Sequence, residues 1–280
     1  MVYHCKLIGY PIKHSLSPWI HEQFFEKAEL QGTYTINEIR PEDSFEDHIK
    51  RMREEQVDGF NITVPYKQAI IPYLDVLDET AKKMGAVNTV VNRNGKWIGY
   101  NTDGIGYLRS LESMYPDLFT DKSVRVLLLG AGGAARAIYF ALDVSGFTRI
   151  DIANRTRASA KEIIESANSS TQSEILSLEE AEKYAGNYDL IIQTTSVGMK
   201  PKQDNAIISS DNIKTNTIVS DIVYQPIQTK FLSCSAKRGA MIHQGHTMLL
   251  YQAQYAFEIW TDKKVKMDDM EIKLKEILEG

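Results

Sequence analysis

Apolar positions along the chain fall into short runs that alternate with stretches of helical period, a pattern that predicts parallel βα units and an α/β class. In the first hundred residues strands are expected near 6–10, 34–39, 59–64 and 88–93, with helices around 18–28, 45–54 and 78–84. Asn94-Gly95, set between Val90-Val91 and Trp97-Ile98, predicts a type I′ hairpin, because both central positions need a positive φ that Asn and Gly tolerate. A second series opens at Val124-Arg-Val-Leu-Leu-Leu129, apolar enough for a central parallel strand covered on both faces. Further strands are expected near 149–153, 190–194 and 217–223, with helices between them. Helical period returns at 246–259 and 267–278, too little chain for a domain of its own. A length of 280 residues suits two domains. The expected division is 1–103 with 241–280, a discontinuous α/β domain, and 104–240, a dinucleotide-binding domain.

Composition narrows the function classes. With 32 basic and 37 acidic residues the net charge is −5, which gives no broad attraction to phosphate polymers and argues against a nucleic-acid partner. Cys5 and Cys234 stand far apart with no CxxC pattern, so neither a disulfide framework nor a metal site is expected, and a reducing cytoplasm fits best. Neither a basic-then-apolar leader nor a long uncharged apolar run is seen, so no signal peptide and no membrane contact is expected. HExxH, GxSxG and Walker A patterns are absent, which leaves hydrolase and kinase readings without support.

Gly130-Ala131-Gly132-Gly133-Ala134-Ala135 follows the apolar strand and opens a helical run over 134–142. In a Rossmann turn the first glycine allows the sharp bend, the second admits a pyrophosphate to the backbone, and the helix N-terminus supplies partial positive charge. A glycine-rich turn with no ligand is the alternative. The end of the next strand reads Asn154-Arg155-Thr156-Arg157. An acidic residue there would bind a ribose 2′-hydroxyl, whereas two arginines offer charged forks to a 2′-phosphate and favour NADP. Asp151 lies too early on the strand for the ribose role.

Polar residues in the first domain point to a small-molecule site. Ser17 with Pro18 reads as a helix N-cap followed by an N1 proline, while Ser15 beside it makes the pair apt for a carboxylate. Asn61-Ile-Thr63-Val-Pro-Tyr-Lys67 ends a strand with a lysine able to exchange a proton, and Asp103 in Asn101-Thr-Asp103-Gly104 could orient it or serve only as a helix cap. Tyr224 ends a late strand and Gln252 lies on an amphipathic helix, where a turn residue and a solvated face are the plainer readings.

Together these segments resemble the shikimate dehydrogenase family, over nearly the whole chain and in the family's order. The resemblance rests on Gly9-Tyr-Pro-Ile-Lys-His-Ser15-Leu-Ser17-Pro18, Gly59-Phe-Asn-Ile-Thr63-Val-Pro-Tyr-Lys67, Gly85-Ala-Val-Asn88-Thr89, Gly99-Tyr-Asn-Thr-Asp103-Gly104, the glycine turn, Asn154-Arg155-Thr156 and Met248-Leu-Leu-Tyr-Gln252. It implies an N-terminal substrate domain, a Rossmann domain for NADP, a cleft between them, and reversible NADPH-dependent reduction of 3-dehydroshikimate to shikimate. Carried over by position, Lys67 is the acid/base, with Asp103 beside it. Ser15, Ser17, Thr63, Asn88, Asp103, Tyr224 and Gln252 are the substrate residues. Gly130, Ala131, Gly132, Gly133, Ala134, Asn154, Arg155, Thr156, Ile222 and Gly245 match cofactor positions, Glu79 is placed with them, and Arg157 joins them from its place in the arginine loop.

Two departures from the family pattern stand out. The usual second basic residue is Ser159 here, with Arg157 nearby instead, which leaves the division of 2′-phosphate contacts open. The late Asp-Gly-x-Gly-Met pattern reads Gln244-Gly245-His246-Thr247-Met248 and so lacks one glycine. Quinate dehydrogenases, methylenetetrahydrofolate-type dehydrogenases and a non-catalytic NADP-responsive protein are the alternatives. The second does not explain Ser15 and Ser17, and the third should lack Lys67 or Asp103. A monomer or a homodimer is expected.

Overall fold

In the computed structural model, which describes residues 2–167 and 171–280, the chain divides into two units, Met1–Asp103 with Gln252–Lys266 and Gly104–Tyr251 with Met267–Gly280. Both are α/β. The first is built from β1 (Val2–Gly9), α1 (Ser17–Lys27), β2 (Gln31–Glu38), α2 (Phe45–Glu54), β3 (Gly59–Ile62), β4 (Val76–Leu77), α3 (Glu79–Met84), β5 (Thr89–Arg93) and β6 (Lys96–Tyr100). Its sheet runs β2-β1-β3-β5-β6-β4. β1 is parallel to β2 and β3, but β5 is antiparallel to β3 and β6, so this sheet is mixed where parallel units were expected. The chain reverses between β5 and β6 at the two-residue turn, in which Asn94 and Gly95 take φ of +55° and +84° as that hairpin demands.

Local chemistry starts and stops these helices. The Ser44 side chain accepts from Asp47 N at 3.3 Å to cap α2, whose Ile49 and Met52 turn inward. Asp78 caps α3 through Thr80 N at 2.9 Å, and Gly85 ends it in the left-handed conformation.

The second unit holds α4 (Asp103–Met114), β7 (Arg125–Leu129), α5 (Gly133–Val144), β8 (Arg149–Ala153), α6 (Arg157–Glu165), β9 (Ile175–Leu176), α7 (Leu178–Tyr184), β10 (Leu190–Gln193), β11 (Ile218–Asp221), α8 (Lys230–Lys237), β12 (Met241–Gln244), α9 (Gly245–Thr261) and α10 (Met270–Glu279), the ends of α4 and α9 reaching past its limits. All six strands are parallel in the order β12-β11-β10-β7-β8-β9. Counted from β7 this is 3-2-1-4-5-6, the Rossmann order. Val126 and Leu128 enter one buried cluster and Leu127 and Leu129 another, which is why β7 reads as continuously apolar.

The late chain divides differently from the expected 241–280 return. β12 pairs with β11 in the second sheet, from Ile218 opposite Met241 to Asp221 opposite Gln244, and Tyr251 OH bonds Ser113 Oγ and Glu271 Oε1 at 2.8 and 2.9 Å. Only Gln252–Lys266 groups with the first unit. There Phe257 packs on Phe24 and Phe25 with ring centroids 5.6 and 5.1 Å away, and Trp260 Nε1 donates to Val90 O at 2.9 Å. No helix among the described residues is long and apolar enough to cross a membrane.

Candidate active site

β3 delivers Asn61, and the turns that follow deliver Lys67. Val87 N bonds Lys67 O at 2.8 Å and Ile62 N bonds Asn88 O at 2.8 Å, so this turn is sewn to the start of β5. β6 then leads through Thr102 to Asp103 at the start of α4. Lys67 Nζ lies 2.6 Å from Asp103 Oδ2, with the two side chains 30% and 18% exposed. Asn88 Nδ2 donates to Asp103 Oδ1 at 2.8 Å and to Thr102 Oγ1 at 3.0 Å, while Thr102 N returns a bond to Asn88 Oδ1 at 2.8 Å. Each carboxylate oxygen of Asp103 thus has its own donor. The result is an ammonium held by a charge-assisted bond beside solvent, an arrangement suited to giving a proton to a nearby oxygen.

Behind this pair lies a buried amide network. Asn61 Oδ1 accepts a hydrogen bond from the Tyr34 hydroxyl at 2.8 Å, and its Nδ2 donates to Asn88 O and Thr89 Oγ1 at 3.1 and 3.0 Å. Burial pushes the Tyr34 phenol well up and the His21 imidazole, stacked on it at 4.3 Å, down to about 3, so both rings are neutral. Asn61 is one of the polar side chains read at the end of β3, whereas Thr102 has no reading of its own in the sequence although it stands inside the motif quoted for Asp103.

Ser15 and Ser17 meet at the head of α1, with their hydroxyl oxygens 3.1 Å apart. Leu16 occupies the N-cap position, so Ser17 is not the cap expected; it is already helical, Pro18 is its successor, and Ser15 Oγ accepts from Ser17 N at 3.2 Å. Thr63 is half-buried, and Gln252 Oε1 stands 3.5 Å from Thr102 Oγ1. Glu79 is exposed in the first turn of α3, and Tyr224 is exposed in the second unit.

The second unit offers a separate binding surface. Gly130 has φ of +114°, and a Cβ there would lie 2.6 to 2.7 Å from Thr195 and Thr194, so only glycine fits. At Gly132 and Gly133 a Cβ would meet nothing within 4 Å. Packing does not require those glycines, and the first turn of α5 has no side-chain cap. The open space beside that helix N-terminus is suited to a pyrophosphate. Ala131 packs against the core and Ala134 continues the helix.

Asn154 Nδ2 bonds Thr156 O at 2.9 Å and rigidifies the turn after β8. Thr156 is the N-cap of α6 with no side-chain cap bond, and Arg155 is exposed with no ion pair among the described residues. Arg157 opens α6 close enough to Glu180 to help its Ser177 contacts hold that carboxyl below the usual range. Asp151 is bound into the sheet by Tyr188 OH and Glu174 N, both at 2.8 Å, and is not a ribose ligand. These residues fit an NADP nucleotide. Ile222 leaves β11 against Gly245, where a Cβ would come 2.5 Å from the Ile222 carbonyl.

Comparison with known proteins places these features in context. Residues 7–90 match the model of the shikimate dehydrogenase substrate binding domain, 116–223 that of shikimate / quinate 5-dehydrogenase, and 245–271 that of the shikimate 5′-dehydrogenase C-terminal domain. A shikimate dehydrogenase (NADP(+)) of Oceanobacillus iheyensis is 54% identical over 275 residues, covering 98% of each chain. Shikimate dehydrogenase from Aquifex aeolicus has a TM-score of 0.86 at 37% identity, covering 98% of this chain and 97% of that one. Shikimate 5-dehydrogenase from Thermus thermophilus, in complex with NADP(H) and shikimate, has a TM-score of 0.85 at 30% identity, covering 98% and 99%.

Proposed function

Because the chain belongs to the shikimate dehydrogenase family, we propose that it catalyses the reversible NADPH-dependent reduction of 3-dehydroshikimate to shikimate, a step of the shikimate pathway toward aromatic amino acids. The observation that carries the reading is the 2.6 Å Lys67–Asp103 pair, fixed from the far oxygen by Asn88. The first unit binds substrate and the second binds NADP.

Bound NADPH supplies a hydride to the substrate's carbonyl carbon. As that carbon is reduced its oxygen gains negative charge, which the Lys67 ammonium stabilises and then neutralises by donating a proton. In the oxidative direction the neutral amine takes the hydroxyl proton. Asp103 aims Lys67 and, with Asn88 and Gln252, binds ring hydroxyls. Ser15 and Ser17, at the head of α1, hold the carboxylate by hydroxyl donation and the positive end of the helix. Thr63 and Tyr224 are assigned to substrate by their motif positions. A ligand lacking one ring hydroxyl leaves buried polar groups unpaired, which is the basis of selection.

On the cofactor side Gly130 to Ala134 cradle the pyrophosphate, and Asn154, Arg155, Thr156 and Arg157 take the adenosine end and its 2′-phosphate. Ile222 and Gly245 are assigned to the nicotinamide end, and Glu79 is retained by motif position alone. The two cysteines are both unpaired, in keeping with a reducing cytoplasm, where the chain acts as a monomer or homodimer. The direct test is NADPH oxidation with 3-dehydroshikimate, set against 3-dehydroquinate and against NADH. The pair of 3-dehydroshikimate and NADPH should give the highest kcat/KM, and a preference for 3-dehydroquinate would overturn the substrate assignment.

A further inference from the structure

Where the family pattern has a second glycine, this chain has Thr247, and that residue belongs to a buried polar cluster the proposed chemistry leaves unused. His243 lies near the end of β12 with its ring fully buried among three hydroxyls from three elements. Ser220 Oγ of β11 lies 2.8 Å from Nδ1, while Ser110 Oγ of α4 and Thr247 Oγ1 of α9 lie 3.1 and 3.2 Å from Nε2. Proton accounting fixes the tautomer. Ser110 already donates to Tyr107 O at 2.7 Å and Thr247 to Gln244 O at 2.8 Å, so neither has a proton left for the ring. Nε2 therefore carries the hydrogen and shares it between the two, and Nδ1 accepts from Ser220. Burial, with His246 adding to it, holds this imidazole down to about 3, so the ring is neutral.

The cluster grips a mechanically important turn. Thr247 bonds backward to Gln244 O across Gly245, the first residue of α9. Gly245 in turn is pressed on the Ile222 carbonyl, with no room for a Cβ. Because every strand of this sheet is parallel, the ends of β11 and β12 and the Gly130 turn after β7 lie on one carboxyl edge, where α/β sheets bind ligands. We propose that His243 and Thr247 are positioning residues that hold the Gly245 turn in the form that receives the nicotinamide end of NADP. The inference rests on the assignment of Ile222 and Gly245 to the cofactor.

Three variants test it: Thr247→Val keeps the shape and removes the hydroxyl, Thr247→Ser keeps the hydroxyl, and Ser220→Ala removes the proton offered to Nδ1. NADPH binding is followed by fluorescence titration and shikimate binding by calorimetry, with the thermal midpoint recorded for each. Thr247→Val is expected to raise the NADPH Kd roughly tenfold, as for a buried hydrogen bond lost, with shikimate Kd within about twofold. Thr247→Ser should bind as the unaltered chain does. Should the Val variant fail to fold, Ser220→Ala is read by the same NADPH-to-shikimate comparison. Unchanged NADPH affinity in Thr247→Val and Ser220→Ala overturns the inference alone. So does an equal loss for both ligands, or a Ser variant as weak as the Val one. An unaltered chain that takes up no NADPH overturns the cofactor reading and this inference with it.

Discussion

Asn88 Nδ2 holds Asp103 Oδ1 at 2.8 Å, on the oxygen opposite the one that receives the Lys67 ammonium. The carboxylate therefore cannot turn away from the lysine without breaking the hydrogen bond from Asn88, whose own amide oxygen accepts from Thr102 N. Aim, more than attraction, is what this geometry supplies.

Lys67→Ala should lower kcat by roughly 10²- to 10⁴-fold, the usual range for general acid/base catalysis, while shikimate Kd changes much less because the ring remains held by the other polar groups. Asp103→Asn keeps the shape and loses the charge, and should reduce kcat as well. Steady-state kinetics with direct shikimate binding separates the roles. A Lys67→Ala enzyme with near-normal kcat and poor shikimate binding would make Lys67 a binding residue only.

Arg155→Ala should weaken NADP by about 1.5 to 3 kcal/mol, the size of a charged hydrogen bond, and NAD much less. Arg157→Ala should cost less than Arg155→Ala, since Arg157 also faces Glu180. Equal weakening of NADP and NAD in titrations of Arg155→Ala would show that this side chain does not read the 2′-phosphate.

Ser15 and Ser17 now carry different expectations. Ser15→Ala removes the oxygen that accepts Ser17 N, so it should raise the shikimate KM and also lower stability by ~1 kcal/mol, the usual size of one lost hydrogen bond. Ser17→Ala leaves that backbone N–H in place but uncouples the hydroxyl pair, and should act mainly on KM. Thermal melts run beside the kinetics distinguish the two. Unaltered KM in both variants would remove them from the carboxylate site.

Asp221 supplies a pH test. It is wholly buried and takes bonds from Gln193 Nε2, Val223 N and Thr229 Oγ1, yet burial pushes its carboxyl up to about 6 from 3.8. A folded pKa above the unfolded one means the folded state binds the proton more tightly, so this group's contribution falls as pH rises from about 4 to about 6 and then levels off. The accumulated penalty is on the order of 3 kcal/mol at neutral pH. Asp221→Asn should therefore be more stable than the unaltered chain at pH 8, with an advantage that shrinks as pH falls toward 4. Denaturant melts of both proteins across that range check it, and a constant difference would sink the assignment.

Much of this arrangement is legible in the residues themselves. Asn94-Gly95 announces its hairpin because a type I′ turn has a narrow chemical requirement, and the Gly130 turn reads clearly because strand, glycines and helix stand in sequence. The mixed first sheet is less legible. β3 and β5 are both short, and nothing in Gly59–Ile62 or Thr89–Arg93 states which way the partner runs. The place of the late chain was missed in part because 241–244 is short and its strand character comes from pairing with Ile218–Asp221, a long-range contact. His243 is opaque for the same reason. Its hydroxyl partners lie at 110, 220 and 247, and no local pattern joins them. The Ser17 cap failed by a single residue, since a Ser-x-Ser-Pro head lets either serine satisfy the first turn.

The Trp260 indole, bonded to Val90 O across 170 residues of sequence, has a bearing on synthesis. Every strand of the first sheet has been made by residue 100, but the wedge that closes it emerges only after the whole nucleotide-binding sheet. The strands of the first sheet are thus complete long before the helix segment that covers them has been made. A nascent chain interrupted anywhere before residue 252 carries an unsealed apolar face where Phe257 and Trp260 belong.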